Sequence, residues 1–182
     1  MAKAKDSLNT SISKAIRGSF DLDGFKKSKF LVGNVKFKDD TWIELSKAVQ
    51  NVLSIPGIPK GYITLLRGHS DTGKTTALLE AAIAAQKAGV LPVFIVTEMK
   101  WTWDHARIMG FEYEEVADPT TGEVIDYKGF FLYVDRSSLT TIEDVASFIV
   151  DLLDEQKKGN LPFDLLFLWD SVGSIPCKLS IE

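Results

Sequence analysis

The chain has 182 residues, 45% hydrophobic and 25% charged, with a net charge of −4. That supplies enough apolar material for one buried core, and no run of about 18 apolar residues is present to cross a membrane, so a soluble protein is expected. The charge balance excludes a uniformly basic nucleic-acid coat but not one local basic loop, and Cys177, the single cysteine, excludes an internal disulfide or a cysteine-built metal site.

The N-terminus "MAKAKDSLNTSISKAIRG" carries basic residues without an apolar stretch behind them, so no secretory signal is expected and a reducing cytoplasm is the expected compartment. Ile12, Ala15, Ile16 and Phe20 recur at near-helical spacing and predict a short amphipathic helix. The basic cluster Lys3, Lys5, Lys14, Lys26, Lys27 and Lys29 reads first as a solvated tail. Residues 23–40 read as a linker with a strand at Lys29–Val32 or Val35–Lys38. Thr41 with Glu44 then has the form of a capping box, and Trp42, Leu45, Val49 and Leu53 give the helix behind it one apolar face. "SIPGIPKG" (54–61) ends that helix.

From here the pattern alternates. Strands are predicted at Tyr62–Leu66, Pro92–Thr97, Phe130–Val134 and Leu165–Trp169, and helices at Thr75–Ala88, Trp103–Met109 and Thr141–Lys157. Apolar strands separated by amphipathic helices predict an α/β fold with a mostly parallel sheet flanked by helices. One segment breaks the alternation: residues 113–130 place Asp118-Pro119 and Thr121-Gly122 between short strand-like runs, which predicts an inserted β-hairpin.

"LLRGHSDTGKTT" (65–76) holds the clearest chemical signal. Gly68, His69, Ser70, Asp71, Thr72, Gly73, Lys74 and Thr75 fit GxxxxGK[ST] between a predicted strand and a predicted helix, the pattern of a P-loop. Glycines let successive backbone N–H groups turn inward, where they and the helix dipole hold phosphate oxygens. Lys74 adds a cation beside the β- and γ-phosphates, and the Thr75 hydroxyl is a magnesium ligand. The expected ligands are therefore ATP and Mg2+. "FDLLFLWDS" (163–171) reads as a buried strand delivering Asp170 to the magnesium shell, the Walker B role. Glu98, at the end of "VFIVTE", is the candidate to orient the attacking water or take its proton.

These residues carry a family resemblance. The stretch from Ile55 through "GYITLLRGHSDTGKTT" to "TEMKWTWDHARIMGF" resembles the RecA-like recombinases, with their P-loop ending in GKTT, a glutamate after the next strand and an Ala-Arg-x-x-Gly helix end; "LLFLWDSVGSIPCKLSIE" resembles their Asp-Ser-Val element. The resemblance covers about residues 54–182 apart from the hairpin. It implies a P-loop NTPase core in which Gly68 to Thr76, Thr76 included, hold the phosphates, Glu98 is the catalytic carboxylate, Asp170 is linked to magnesium, and Ser171 falls at the family's serine. The family's adenine-side aspartate and tyrosine fall at Thr102 and His105, and Trp101 or Trp103 offers a stacking face in their place.

The resemblance further implies residues 1–40 as an oligomerisation segment and linker, and 41–182 as an ATP-binding core cut short after the Walker B strand, lacking the family's DNA-binding loops. An uncovered apolar sheet edge is the expected consequence. Three readings stand side by side: the ATP-binding part of a recombinase that forms nucleotide-dependent filaments on single-stranded DNA in homologous recombination and repair, a non-hydrolysing nucleotide-binding regulator of a related filament, and a fragment of a hexameric helicase of the same superfamily. Ala106-Arg107-x-x-Gly110 and "DSVGS" favour the first. The implied partners are further copies of the chain or a chain completing the core, and single-stranded DNA through elements mostly beyond residue 182. The expected activity is a DNA-dependent ATPase that is weak until the core is completed.

Overall fold

A computed structural model describes residues 42–98 and 101–180 of the chain. The helix expected around Ile12–Phe20, the strand expected within 29–38 and the oligomerisation segment 1–40 lie outside the described residues.

Three parallel strands position everything else. β3 (Leu91–Val96) lies between β6 (Leu132–Asp135) and β7 (Leu165–Asp170), in register Val93↔Leu132 on one side and Val93↔Phe167 on the other. All six residues of β3 are buried, because a central parallel strand is covered on both faces. Alternation sorts them. Leu91, Val93 and Ile95 pack with Val145, Phe148 and Leu152 of α4 (Ile142–Lys157), whereas Phe94 and Val96 face Leu79 and Ala82 of α2 (Lys74–Ala88) and Ala106 of α3 (Trp103–Met109). Truncating a ring such as Phe94 in this layer costs roughly 3–5 kcal/mol.

The helices have identifiable ends. α2 is rich in alanine, the strongest helix former, and stops at Gly89, whose left-handed φ of 71° aims its N–H at the Ala85 and Gln86 carbonyls. α4 begins with a capping box: Thr141 Oγ1 accepts from Asp144 N at 3.2 Å and the Asp144 carboxylate accepts from Thr141 N at 3.0 Å. The predicted hairpin is present as β4 (Glu114–Ala117) and β5 (Val124–Lys128), antiparallel with a shift at Val116/Ala117. Its turn is tied by Asp118 Oδ1, which accepts from Thr120 N at 2.7 Å and Thr121 N at 3.1 Å. These bonds hold the Asp118 carboxyl below its ordinary range.

Two expectations fail. The helix capped by Thr41 and Glu44 is replaced by β1 (Trp42–Glu44), which pairs antiparallel with β2 (Gly57–Pro59), and α1 (Lys47–Leu53) starts only after Ser46, whose hydroxyl accepts from Val49 N at 3.4 Å. Tertiary packing decides this: Ile43 is buried against Ala85 and Val90 at the end of α2, and Gly57 lets β1 approach so closely that a Cβ there would sit 1.9 Å from the Ile43 carbonyl oxygen. Thus "SIPGIPKG" contains a strand as well as a stop.

The second failure concerns Tyr62–Leu66, predicted as the strand leading into the P-loop. It forms no ladder; Tyr62 is 79% exposed and Ile63 fully so, and β7 is an edge of the three-stranded sheet with Leu165, Leu166 and Phe167 only half-buried. An apolar strand of this kind is stabilised by cover on both faces and pairing on its edges, and the described residues supply neither to this segment. Among the described residues, β7 therefore forms an edge of the sheet with half-buried apolar residues.

Candidate functional site

The loop after Arg67 turns into α2 without a side-chain cap. Gly73 is the N-cap residue at φ 84°, a conformation that needs glycine, and no side chain caps the first turn of the helix. A helix N-terminus left in that condition offers backbone donors and a positive dipole end to an anion. Gly68 is needed for a different reason. A Cβ there would lie 2.8 Å from Thr72 Oγ1, which itself donates to the His69 carbonyl at 2.8 Å and folds the loop onto itself. Asp71 completes the turn at φ 61°, and Ser70 lies beside it, exposed.

Lys74, the first residue of α2, reaches back over this loop. Its Nζ donates to the His69 carbonyl at 2.6 Å and lies 3.2 Å from the Gly68 carbonyl. The ammonium thus sits at the loop's mouth, held by neutral acceptors that a phosphate oxygen outcompetes on charge. One position further, Thr75 Oγ1 donates to Asp170 Oδ2 at 2.6 Å. This bond joins residues 95 positions apart, placing the hydroxyl at the start of α2 against the carboxylate at the end of β7. Thr76 follows in the same turn, half-buried.

The carboxyl ends of β3 and β7 are tied together beside that pair. Thr97 N and Glu98 N both donate to the Asp170 carbonyl, at 2.8 and 3.1 Å, and Ser171 Oγ donates to Glu98 Oε1 at 2.6 Å. Asp170, Ser171 and Glu98 therefore form one constellation, and Asp170 links it to Thr75. Parallel register is the cause: Val96 pairs with Asp170, so the next residues of both strands leave the sheet side by side.

Trp103 and His105 belong to the hairpin side. The Trp103 ring stacks on Tyr127 with centroids 4.3 Å apart and planes 20° apart, and it also meets Trp101, Tyr113, Phe131 and Tyr133. Its stacking face is thus engaged within the chain; Trp101 packs on Phe94, and His105 is exposed on α3. Burial raises the Tyr127 hydroxyl above its ordinary pKa. Gln86 fastens the base of the hairpin, donating to the Glu112 carbonyl at 3.0 Å and accepting from Glu112 N at 3.1 Å, while Arg107 pairs with Glu115 and lies over the Tyr113 ring.

The donor set suits a nucleotide with magnesium. Magnesium takes one or two carboxylates and fills its remaining positions with water and phosphate oxygens, and the Thr75–Asp170 pair beside an uncapped helix N-terminus has that composition. Among the described residues there is no cluster of three or more His, Cys, Asp or Glu arranged to hold a metal without phosphate, and no helix long and apolar enough to cross a membrane. Sequence reasoning missed three residues at this corner: Thr97, Trp169 and Ser174, whose polar atoms converge behind Glu98 and Ser171. The signal was a lone hydroxyl residue ending an otherwise apolar strand.

Comparison with known proteins gives a consistent picture. The RecA N-terminal domain family matches residues 22–150. RecA from Leifsonia xyli subsp. xyli is 33% identical over 107 residues, covering 57% of this chain and 30% of that protein. RecA from Corynebacterium pseudotuberculosis is 40% identical over 78 residues, covering 42% and 21%, and RecA from Kineococcus radiotolerans is 31% identical over 111 residues, covering 59% and 32%. The matched stretches thus span about a third or less of these relatives' length. No solved structure matches the chain. Asp170 and Ser171 lie beyond the family match, so their place at the site rests on geometry.

Proposed function

The chain belongs to the RecA family, and from that premise we propose that it is the ATP-binding part of a recombinase that assembles with further copies on single-stranded DNA, in the cytoplasm, during recombination and repair. The observation that carries this reading is the 2.6 Å bond from Thr75 to Asp170, which unites the hydroxyl of the glycine loop with the terminal carboxylate of β7 as a P-loop ATPase requires.

In this reading the backbone N–H groups between Gly68 and Thr76 bind the phosphates, and Lys74 leaves the His69 and Gly68 carbonyls to pair with β- and γ-phosphate oxygens. Thr75 and Asp170 would hold a magnesium ion, which would supply neutralisation of phosphate charge. Glu98 orients the attacking water and receives its proton, with its carboxylate aimed by the Ser171 hydroxyl. On the adenine side Trp103 is stacked on Tyr127, and exposed His105 offers an edge to the base.

Glu98→Gln tests the assignment. Magnesium ATP binding, followed by calorimetry, is expected to persist within about threefold because the phosphate contacts are untouched, while turnover falls by roughly 10²–10⁴ as general-base assistance is lost. Turnover of the unaltered protein is expected to stay weak until a chain supplying the rest of the core is added, and to rise with that chain only while Glu98 is in place. Undiminished turnover in Glu98→Gln removes the glutamate from its role.

A further inference from the structure

We propose that Thr97 is a positioning residue for the hydrolytic centre, a buried hydroxyl hub that sets the placement of Ser171 and, through it, of the Glu98 carboxylate. The inference rests on the nucleotide reading above.

Thr97 is 1% exposed and directly precedes Glu98. A threonine hydroxyl has one proton to donate and two acceptor positions, and all are satisfied. Oγ1 donates to the Ser171 carbonyl at 2.8 Å, accepts from the Trp169 indole Nε1–H at 3.1 Å, and lies 2.6 Å from Ser174 Oγ. The Ser174 hydroxyl also lies 2.6 Å from the Ser171 carbonyl, so it closes a small ring with Thr97. One side chain therefore grips β7 before Asp170, the backbone just after it and the turn at Val172–Ser174.

The consequence reaches the site by two short steps. With Thr97 N holding the Asp170 carbonyl and Thr97 Oγ1 holding the Ser171 carbonyl, residues 170 and 171 are fixed to the end of β3. Ser171 Oγ then donates to Glu98 Oε1 at 2.6 Å and returns the constraint to the carboxylate next to Thr97. Asp170 is tied to β3 by the Thr97 backbone N–H and to Thr75 by its carboxylate, so its contacts do not run through the Thr97 hydroxyl. Removing the hydroxyl leaves the Trp169 N–H without this partner and the half-buried Ser171 carbonyl with the Ser174 hydroxyl alone, and the centre relaxes by shifting Ser171 away from Glu98.

Thr97→Val removes the hydroxyl and keeps the shape; Thr97→Ser keeps the hydroxyl. ATP turnover, magnesium ATP affinity by calorimetry, and the Trp169 indole N–H resonance, assigned by its loss in Trp169→Phe, are measured on all three proteins. The expected result is a kcat about 10²-fold lower in Thr97→Val, the penalty of a misplacement of about 1 Å at a reacting centre, with KM and affinity within about threefold, a displaced Trp169 resonance, and recovery of kcat in Thr97→Ser. An unchanged kcat in Thr97→Val overturns the proposal. So does a loss of kcat and affinity in parallel that Thr97→Ser does not restore, which marks a structural role only. Binding without turnover in the unaltered protein also overturns it while leaving the nucleotide site standing; absence of binding overturns the nucleotide reading itself.

Discussion

Replacing Lys74 with alanine isolates the charge at the loop's mouth. Among the described residues, the Lys74 Nζ contacts two loop carbonyls, at 2.6 and 3.2 Å. Both carbonyls belong to exposed residues that water can solvate, so their loss costs little. Alanine is also a better helix former than lysine at the start of α2, by a few tenths of a kcal/mol. Folding stability is therefore expected to change by less than about 0.5 kcal/mol, the range of surface substitutions. With nucleotide bound, the same ammonium exchanges neutral carbonyls for phosphate oxygens. A hydrogen bond to a charged group contributes about 1.5–3 kcal/mol net, and at about 1.4 kcal/mol per factor of ten the expected loss of magnesium ATP affinity is roughly 10- to 150-fold. Calorimetric titration of both proteins, with thermal unfolding as the check on folding, measures it. Equal affinities would refute the assignment of Lys74 to the phosphates. A large fall in melting temperature would refute the claim that its contacts matter only when nucleotide is present.

The remaining predictions concern the scaffold. The capping box at α4, with Thr141 the foremost cause and Thr140 and Lys178 adding to it, lowers the Asp144 carboxyl from 3.8 to about 2. Its contribution is present above pH 4 and lost as pH falls through about 2; with the side chain 30% exposed it should amount to about 1 kcal/mol at neutral pH. Thr141→Ala is expected to lower stability by roughly 1 kcal/mol in denaturant unfolding and to flatten the pH dependence between 4 and 2, and a variant retaining the full slope contradicts the assignment. Trp103→Ala removes the ring stacked on Tyr127 and is expected to loosen the hairpin, so that limited proteolysis cuts within residues 118–123 at least several times faster, an aromatic pair being worth roughly 0.5–1.5 kcal/mol beyond its buried area. Unchanged cleavage together with unchanged stability would show that Gln86 and Arg107 suffice to dock the hairpin.

Local chemistry made much of this protein legible from its residues alone. Gly68, Gly73, Lys74 and Thr75 are fixed in spacing by the turn they must make, and α3 ends and α4 begins where their caps require, at Gly110 and Thr141. β3, β6, β7 and the hairpin follow from alternation and turn residues, which depend on near neighbours. Tertiary structure decided the rest. Trp42–Glu44 had a helix-start signature, yet the burial of Ile43 on α2 and the close approach at Gly57 outweighed a cap worth about 1 kcal/mol. Tyr62–Leu66 has strand composition, but a strand exists only with partners, and pairing is not a property of five residues. The joining of Thr75 to Asp170 and the contacts of Thr97 belong to the same class: the first depends on where α2 starts against the end of β7 and the second on the parallel register of β3 and β7, and each brings residues more than seventy positions apart within one hydrogen bond.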